Sequence, residues 1–180
     1  FAEQAGVTVP ADKPAPPPMF TPYTVRGLTL KNRVVVSPMA QYSAVDGVAG
    51  DYHLMHLGAR AMGGAAMVFA EMTCVSAQGR ITPGCPGMYT PEHKRAWKRI
   101  TDWIHANTDA KFAMQIGHAG AKASTRLAWE GIDQPLKEGN WPIISASEQQ
   151  YLPGVSQTAK AMTLEDMAQV KADFVRSAQD

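Results

Sequence analysis

Three short clusters in this chain carry residue types that could do chemistry: Ser37-Pro38-Met39-Ala40-Gln41-Tyr42, Glu71-Met72-Thr73, and Gln115-Ile116-Gly117-His118-Ala119-Gly120. Each stands at the end of an apolar run that reads as a strand. A proline closing a strand leaves neighbouring backbone groups free to face a ligand instead of a ladder. A glutamine side chain offers a donor and an acceptor together, which suits the edge of a flat heteroaromatic ring such as an isoalloxazine. Glu71 sits in an apolar run, where an unpaired carboxylate is costly, so it is expected to find a partner rather than act as a free base. His118 reads as a packed histidine bonded to backbone, or as an acid–base group. His53 and His56 lie three apart on a helix, but no third ligand stands at suitable spacing, so no metal is expected.

The elements that must position these clusters follow one repeating pattern. Thr21–Asn32 alternates around Arg26-Gly27 as a small hairpin would. Arg33–Met39 (RVVVSPM) is β-branched and ends near a proline, as a buried strand does. Asp51–Met62 has Leu54, Leu57 and Ala61 at helical spacing and ends at Gly63-Gly64. Ala65–Val75 is a second strand. Thr90-Pro91-Glu92 opens a helix with a threonine cap, a proline in the first turn and an acid beside it. That helix should bury Trp97, Ile100 and Ile104. Lys111–His118 is the third strand, followed by a polar excursion from Gly120 to about Ala161. Thr163, with Asp166 three positions on, starts a last helix expected to turn Leu164, Met167, Val170 and Phe174 inward.

Strands alternating with helices mean a parallel sheet with crossover helices. A doubly wound dinucleotide fold should show GxGxxG after its first strand, and none follows Met39. Special residues just past each strand's C-terminal end fit a (β/α)8 TIM barrel instead. Such a barrel takes about 250 residues. The 180 residues here hold about three βα units, so the expected fold class is α/β, the N-terminal portion of a barrel truncated before its fourth strand.

Residues 1–18, with Pro14, Pro16, Pro17 and Pro18, are expected to be a proline-rich linker from an upstream domain, and residues 19–180 the barrel portion. Hydrophobic residues make up 45% of the chain, enough for a core, which excludes a disordered tail. A net charge of +1 with no basic run excludes a nucleic-acid arm. No stretch approaches the roughly 18 apolar residues of a membrane helix. Phe1–Pro10 lacks the layout of a secretion signal. Cys74 and Cys85 match neither a CxxC pair nor a zinc knuckle, and a cytoplasmic setting is the expectation.

Taken together, the motifs resemble those of the Old Yellow Enzyme family of FMN-dependent (β/α)8 oxidoreductases. The matching pieces are Leu30-Lys31-Asn32-Arg33, Ser37-Pro38-Met39, Tyr42-Ser43, His53-Leu54-Met55-His56, Arg60-Ala61, Glu71-Met72-Thr73, Gln78-Gly79-Arg80-Ile81, and Gln115 with His118-Ala119-Gly120. A nearer likeness is to the reductase half of fused flavin hydroxylase–reductases acting on aromatic acyl-CoA thioesters (2-aminobenzoyl-CoA, salicylyl-CoA). It is carried by Ser124-Thr125, Trp129-Glu130-Gly131 and Glu138-Gly139-Asn140-Trp141-Pro142.

The resemblance implies FMN as cofactor and NADH or NADPH as reductant, with hydride delivered to an activated C=C. It places Ser37, Pro38, Met39 and Ala40 along the flavin, Met72 beside its pyrimidine, Gln115 in hydrogen bonds to that ring, and Tyr42 on the substrate side. It puts the catalytic residues after Asp180. It also implies a homo-oligomer and a covalently linked upstream flavin monooxygenase domain. Ala40 departs from the family, where Cys or Thr donates to the flavin, and Ala121 departs where many relatives carry arginine. Lys122, Arg126 and Lys137 flank the same excursion and read either as contacts for the phosphates of a CoA thioester or as a solvated basic loop. The alternatives are a stand-alone ene-reductase for enones and a non-catalytic barrel fragment serving as a scaffold.

Overall fold

The computed structural model describes residues 1–180. Strands β1 (Tyr23–Val25) and β2 (Leu28–Leu30) form an antiparallel hairpin in which Val25 faces Leu28. Its two-residue turn is Arg26-Gly27, and Arg26 takes a left-handed φ of 52°. The Asn32 side-chain amide donates to the Gly64 carbonyl at 2.8 Å, which ties the hairpin to the lower, N-terminal edge of the sheet. At the start of the chain, Phe1 and Tyr23 flank the Arg33 guanidinium, with ring centroids 4.8 and 4.6 Å away.

The sheet that matters for function is β3 (Val35–Val36), β4 (Met67–Cys74) and β5 (Lys111–Gly117), all parallel and in sequence order. Helix α1 (Asp51–Met62) links the first two strands and α2 (Pro91–Asn107) the next two. Both helices pack on one face. Leu57 and Ala61 of α1 and Trp97, Ile100 and Ile104 of α2 share a single core with Val68 and Ala70 of β4. Consecutive strand order with helices on one side winds in a single direction, as in a barrel wall, whereas a doubly wound sheet reverses. The three strands form an open α/β wall rather than a closed barrel.

Helix ends follow their sequence signals. The Thr90 hydroxyl accepts the His93 backbone N–H at 3.2 Å. Helix α1 begins after Gly50, whose N–H donates to Nδ1 of His53 at 3.2 Å. No helix is long and apolar enough to cross a membrane.

Three expectations need correction. The strand expected over Arg33–Met39 is regular only at Val35–Val36, because it has a neighbour on one side alone and Pro38 has no N–H to donate. The excursion after Gly120 is not merely a loop. It contains α3 (Ala128–Gly131) and a small three-stranded sheet of β6 (Ile144–Ser145), β7 (Gln149–Gln150) and β8 (Thr158–Ala161), ordered β6-β8-β7. These strands have two to four residues each, too short for periodicity to register.

The last helix, α4 (Leu164–Gln179), is capped as expected: Thr163 Oγ1 accepts the Asp166 N–H and Asp166 Oδ2 accepts the Thr163 N–H. Its buried residues are Asp173 and Ser177, while Leu164 is 80% exposed and Met167 is exposed too. The docking face is mixed: Val170 and Phe174 are half-buried as expected, beside Asp173 and Ser177, because the neighbouring surface presents carbonyls. Arg176 donates to Val75 O at 2.7 Å and Ser177 to Met88 O at 2.7 Å.

Candidate functional site

The C-terminal ends of β3, β4 and β5 lie side by side, so the three clusters share one end of the wall. Register sets this. Val35 and Val36 pair with Met67 and Val68, which carries Ser37 and Met39 forward to Phe69 and Glu71; these four line a cavity of about 10 Å³ with Gln41, His53, His56 and Leu57.

Between β4 and β5 the register slips at the site itself. Ala70 faces Met114, but Thr73 faces Ile116, so Glu71 and Met72 together oppose Gln115. This is a β-bulge, a device that re-aims side chains beside binding sites. The freed Glu71 carbonyl accepts the buried Thr73 hydroxyl at 2.9 Å. Gly117 makes room for the result: a Cβ there would meet Met72 Cγ at 2.8 Å and Sδ at 2.9 Å. Met72 therefore lies across β5 on the face that Gln115 shares with Gly117. Gln115, Met39, Ala40 and Ser37 are exposed, while Pro38 and Met72 are half-buried. An apolar floor with one exposed amide at its edge fits a flat ring with a polar rim.

The segment after Pro38 is held by the side chains of Glu71, Gln41 and Tyr52. Glu71 is buried, its Oε1 lies 3.2 Å from His53 Nε2, and its Oε2 accepts the Gln41 N–H at 2.8 Å and the Tyr42 N–H at 3.4 Å. The Gln41 amide donates to Met39 O at 2.8 Å and accepts from the Tyr52 hydroxyl at 2.8 Å. Tyr42 sits at a left-handed φ of 51°, uncommon for a side chain of its size. Burial first, then the nearby Cys85, raises the Tyr42 phenol above its ordinary range, so it stays protonated near neutrality. Nothing in the sequence pointed to the bulge or to Tyr52. The carboxylate in an apolar strand did signal a buried partner for Glu71.

His118 follows β5, and its Nδ1 accepts the Gly120 N–H at 3.1 Å, in line with the packed reading. Burial holds His118 below the ordinary imidazole value of 6.5, with Asp173 opposing. Burial likewise lowers His56 and His93. A depressed folded-state pKa means the unfolded chain binds more protons in acid. The three imidazoles therefore contribute stability that is present above about pH 6.5 and lost as pH falls through that value toward their folded-state pKa values. Proton NMR titration should place His118 below 6.5, and the urea midpoint should drop between pH 7 and pH 5. A midpoint flat over that range contradicts the assignment.

Cys74 and Cys85 are both free and buried, so neither offers an exposed nucleophile. The excursion packs onto the strand-end loops through Trp141, whose Nε1 donates to Gln78 O at 3.0 Å and whose ring lies under the Arg80 guanidinium. Trp129, by contrast, is exposed. Lys122 is not a free cation. It pairs with Asp133 at 2.7 Å; burial would lower its ammonium, but bonds to Asp133 and Tyr151 outweigh that and raise it. Arg126 donates Nε–H to Pro135 O at 3.0 Å.

A model of the NADH:flavin oxidoreductase / NADH oxidase family matches residues 18–180. The NADH:flavin oxidoreductase FG08077 of Gibberella zeae is 40% identical over 164 residues, covering 89% of this chain and 40% of that protein. An NADPH dehydrogenase of Halalkalibacterium halodurans is 36% identical over 158 residues, covering 87% and 42%. The chain thus spans less than half the length of these relatives. Among solved structures, morphinone reductase in complex with tetrahydroNAD superposes with a TM-score of 0.75 at 22% identity, covering 91% of this chain and 46% of the other. The old yellow enzyme homologue from Zymomonas mobilis gives 0.73 at 21% identity, covering 91% and 44%. At that identity these two show the shared fold.

Proposed function

Because the chain belongs to the NADH:flavin oxidoreductase / NADH oxidase family, we propose that it forms one wall of the FMN cradle in an NAD(P)H-dependent oxidoreductase that reduces an activated C=C. The observation that carries this reading is the bulge. It sets Glu71 and Met72 against Gln115 at the same end of the wall as Ser37–Tyr42. Pro38, Met39 and the Ala40 backbone, with Met72, would supply the apolar floor. The Gln115 amide would bond the ring's pyrimidine edge, and Ser37 completes the set. FMN, when bound, supplies the hydride chemistry between nicotinamide and substrate. The protein's part is to hold, orient and keep water from the ring. Tyr42, a protonated phenol at the rim, would face the substrate.

For the substrate, we take the aromatic acyl-CoA class on the strength of the excursion motifs, with the reductase covalently joined to a flavin monooxygenase through residues 1–18. Lys122 is committed to Asp133, so Arg126 and Lys137 remain as cations for the CoA phosphates. The protein should purify yellow or take up FMN, and NADH or NADPH should bleach the bound flavin. Protein that binds no FMN overturns the proposal. Faster reoxidation by 2-aminobenzoyl-CoA than by a simple cyclic enone supports the acyl-CoA class, and the reverse order supports the ene-reductase alternative.

Ala40 has no side-chain donor. A threonine there would add a hydroxyl facing charge that develops on reduction, favouring the reduced ring by about 1.5–3 kcal/mol. Ala40→Thr is therefore expected to raise the flavin midpoint potential, read by dye-coupled titration; an unchanged or lower value contradicts this.

A further inference from the structure

We infer that Glu71, backed by His53, is a positioning residue that sets the loop carrying Met39–Tyr42 against the cofactor. This rests on the cradle reading above. Successive N–H groups of Gln41 and Tyr42 converge on Oε2 of Glu71, a concavity of the kind that takes an anion. Here the anion is supplied by the neighbouring strand. Its other oxygen lies 3.2 Å from His53 Nε2, a close contact that is not aligned as a hydrogen bond, and both atoms are buried with no hydrogen-bond partner. His53 Nδ1 accepts the Gly50 N–H, so the neutral ring's proton is assigned to Nε2, on the side that contacts Glu71.

The carboxylate thus has backbone donors bonded at Oε2 and the His53 Nε2–H within contact distance of Oε1. An amide cannot replace it, because one side would then face an NH2 group. The register of β3 on β4 brings Glu71 to this place: alternation along β4 sets Phe69 and Glu71 on the same cavity as Ser37 and Met39, and the bulge on the other edge of β4 then turns Met72 toward β5. The same clamp holds Tyr42 at its left-handed φ. Tyr52 adds a second tie from the first turn of α1, through Gln41. Helix α1 and strand β4 therefore both act on the loop, and the loop on the ring.

The test is FMN binding and the flavin absorbance spectrum of the full protein with Glu71→Gln. Leaving buried donors unpaired predicts an FMN dissociation constant raised about tenfold or more, with a displaced visible band. Unchanged affinity and spectrum overturn the assignment, even if the melting temperature falls, since that would make Glu71 purely structural. Wild-type protein that binds no FMN removes both this inference and the cradle reading, whereas wild-type binding with an indifferent E71Q removes only this one. Should E71Q fail to fold, His53→Gln and His53→Leu give the same reading. Gln keeps a donor toward Oε1 and should preserve wild-type affinity and spectrum; Leu removes it and should reproduce the loss. Identical behaviour of the two overturns the inference.

Discussion

Trp97→Ala should lower the unfolding free energy by about 3–5 kcal/mol. The indole is 2% exposed at the centre of the core shared by α1, α2 and β4, so truncation leaves a cavity in a rigid, close-packed region. It also removes a donor, because Nε1–H bonds the Gly87 carbonyl at 3.1 Å. The His53 ring lies edge-on to Trp97 at 5.8 Å, so the loss reaches the group that backs Glu71. Trp97→Phe should cost less, keeping most of the buried area but not the hydrogen bond. Urea unfolding followed by circular dichroism measures both. A loss below about 1 kcal/mol for the alanine variant would contradict the packing account.

Gly84→Ala should destabilise by about 1–3 kcal/mol or more and displace Tyr42. A Cβ at Gly84 lands on the Tyr42 carbonyl oxygen, with the Tyr42 carbonyl carbon at 2.7 Å and Leu127 Cδ2 at 2.8 Å. Backbone cannot swing aside as a side chain does, and this backbone is held from both ends. Glu71 accepts the Gln41 and Tyr42 N–H groups, and the Ala44 N–H donates to Gly84 O at 3.0 Å. Relief must come from moving the loop. The expected signature is a lower melting temperature together with a raised Michaelis constant for the oxidising substrate, since Tyr42 faces that side in the proposed cradle. Gly27→Ala is the control: no atom lies within 4 Å of its Cβ position, and the change should stay within about 0.5 kcal/mol. If both variants melt together, the steric argument fails.

The two predictions meet at the same loop from opposite sides. Trp97 supports the helix that carries His53, and Gly84 leaves space for Tyr42. Stability and site geometry are therefore linked through Glu71, and core variants on α1 or α2 should alter cofactor affinity as well as melting.

Much of the wall was legible in the sequence because its signals are local. Asp51–Met62 coincides with α1, since apolar spacing and paired glycines mark a helix without reference to anything distant. The threonine cap and proline of α2 and the alternation around Arg26-Gly27 are local in the same sense. The three clusters at strand ends could be picked out one by one, along with the direction of the strands that deliver them. Tertiary structure alone decided how those clusters meet. The extra residue opposite Gln115 exists only as a relation between two strands 44 positions apart, Ala70 and Met114 being partners, and no single stretch encodes it. The exposed Leu164 face of α4 makes the same point from the other direction: periodicity marks an apolar stripe, but which face is covered depends on the carbonyls that Arg176 and Ser177 find. Local free energies choose the elements, whereas register, clamps and docking faces depend on contacts that only the folded chain brings within reach.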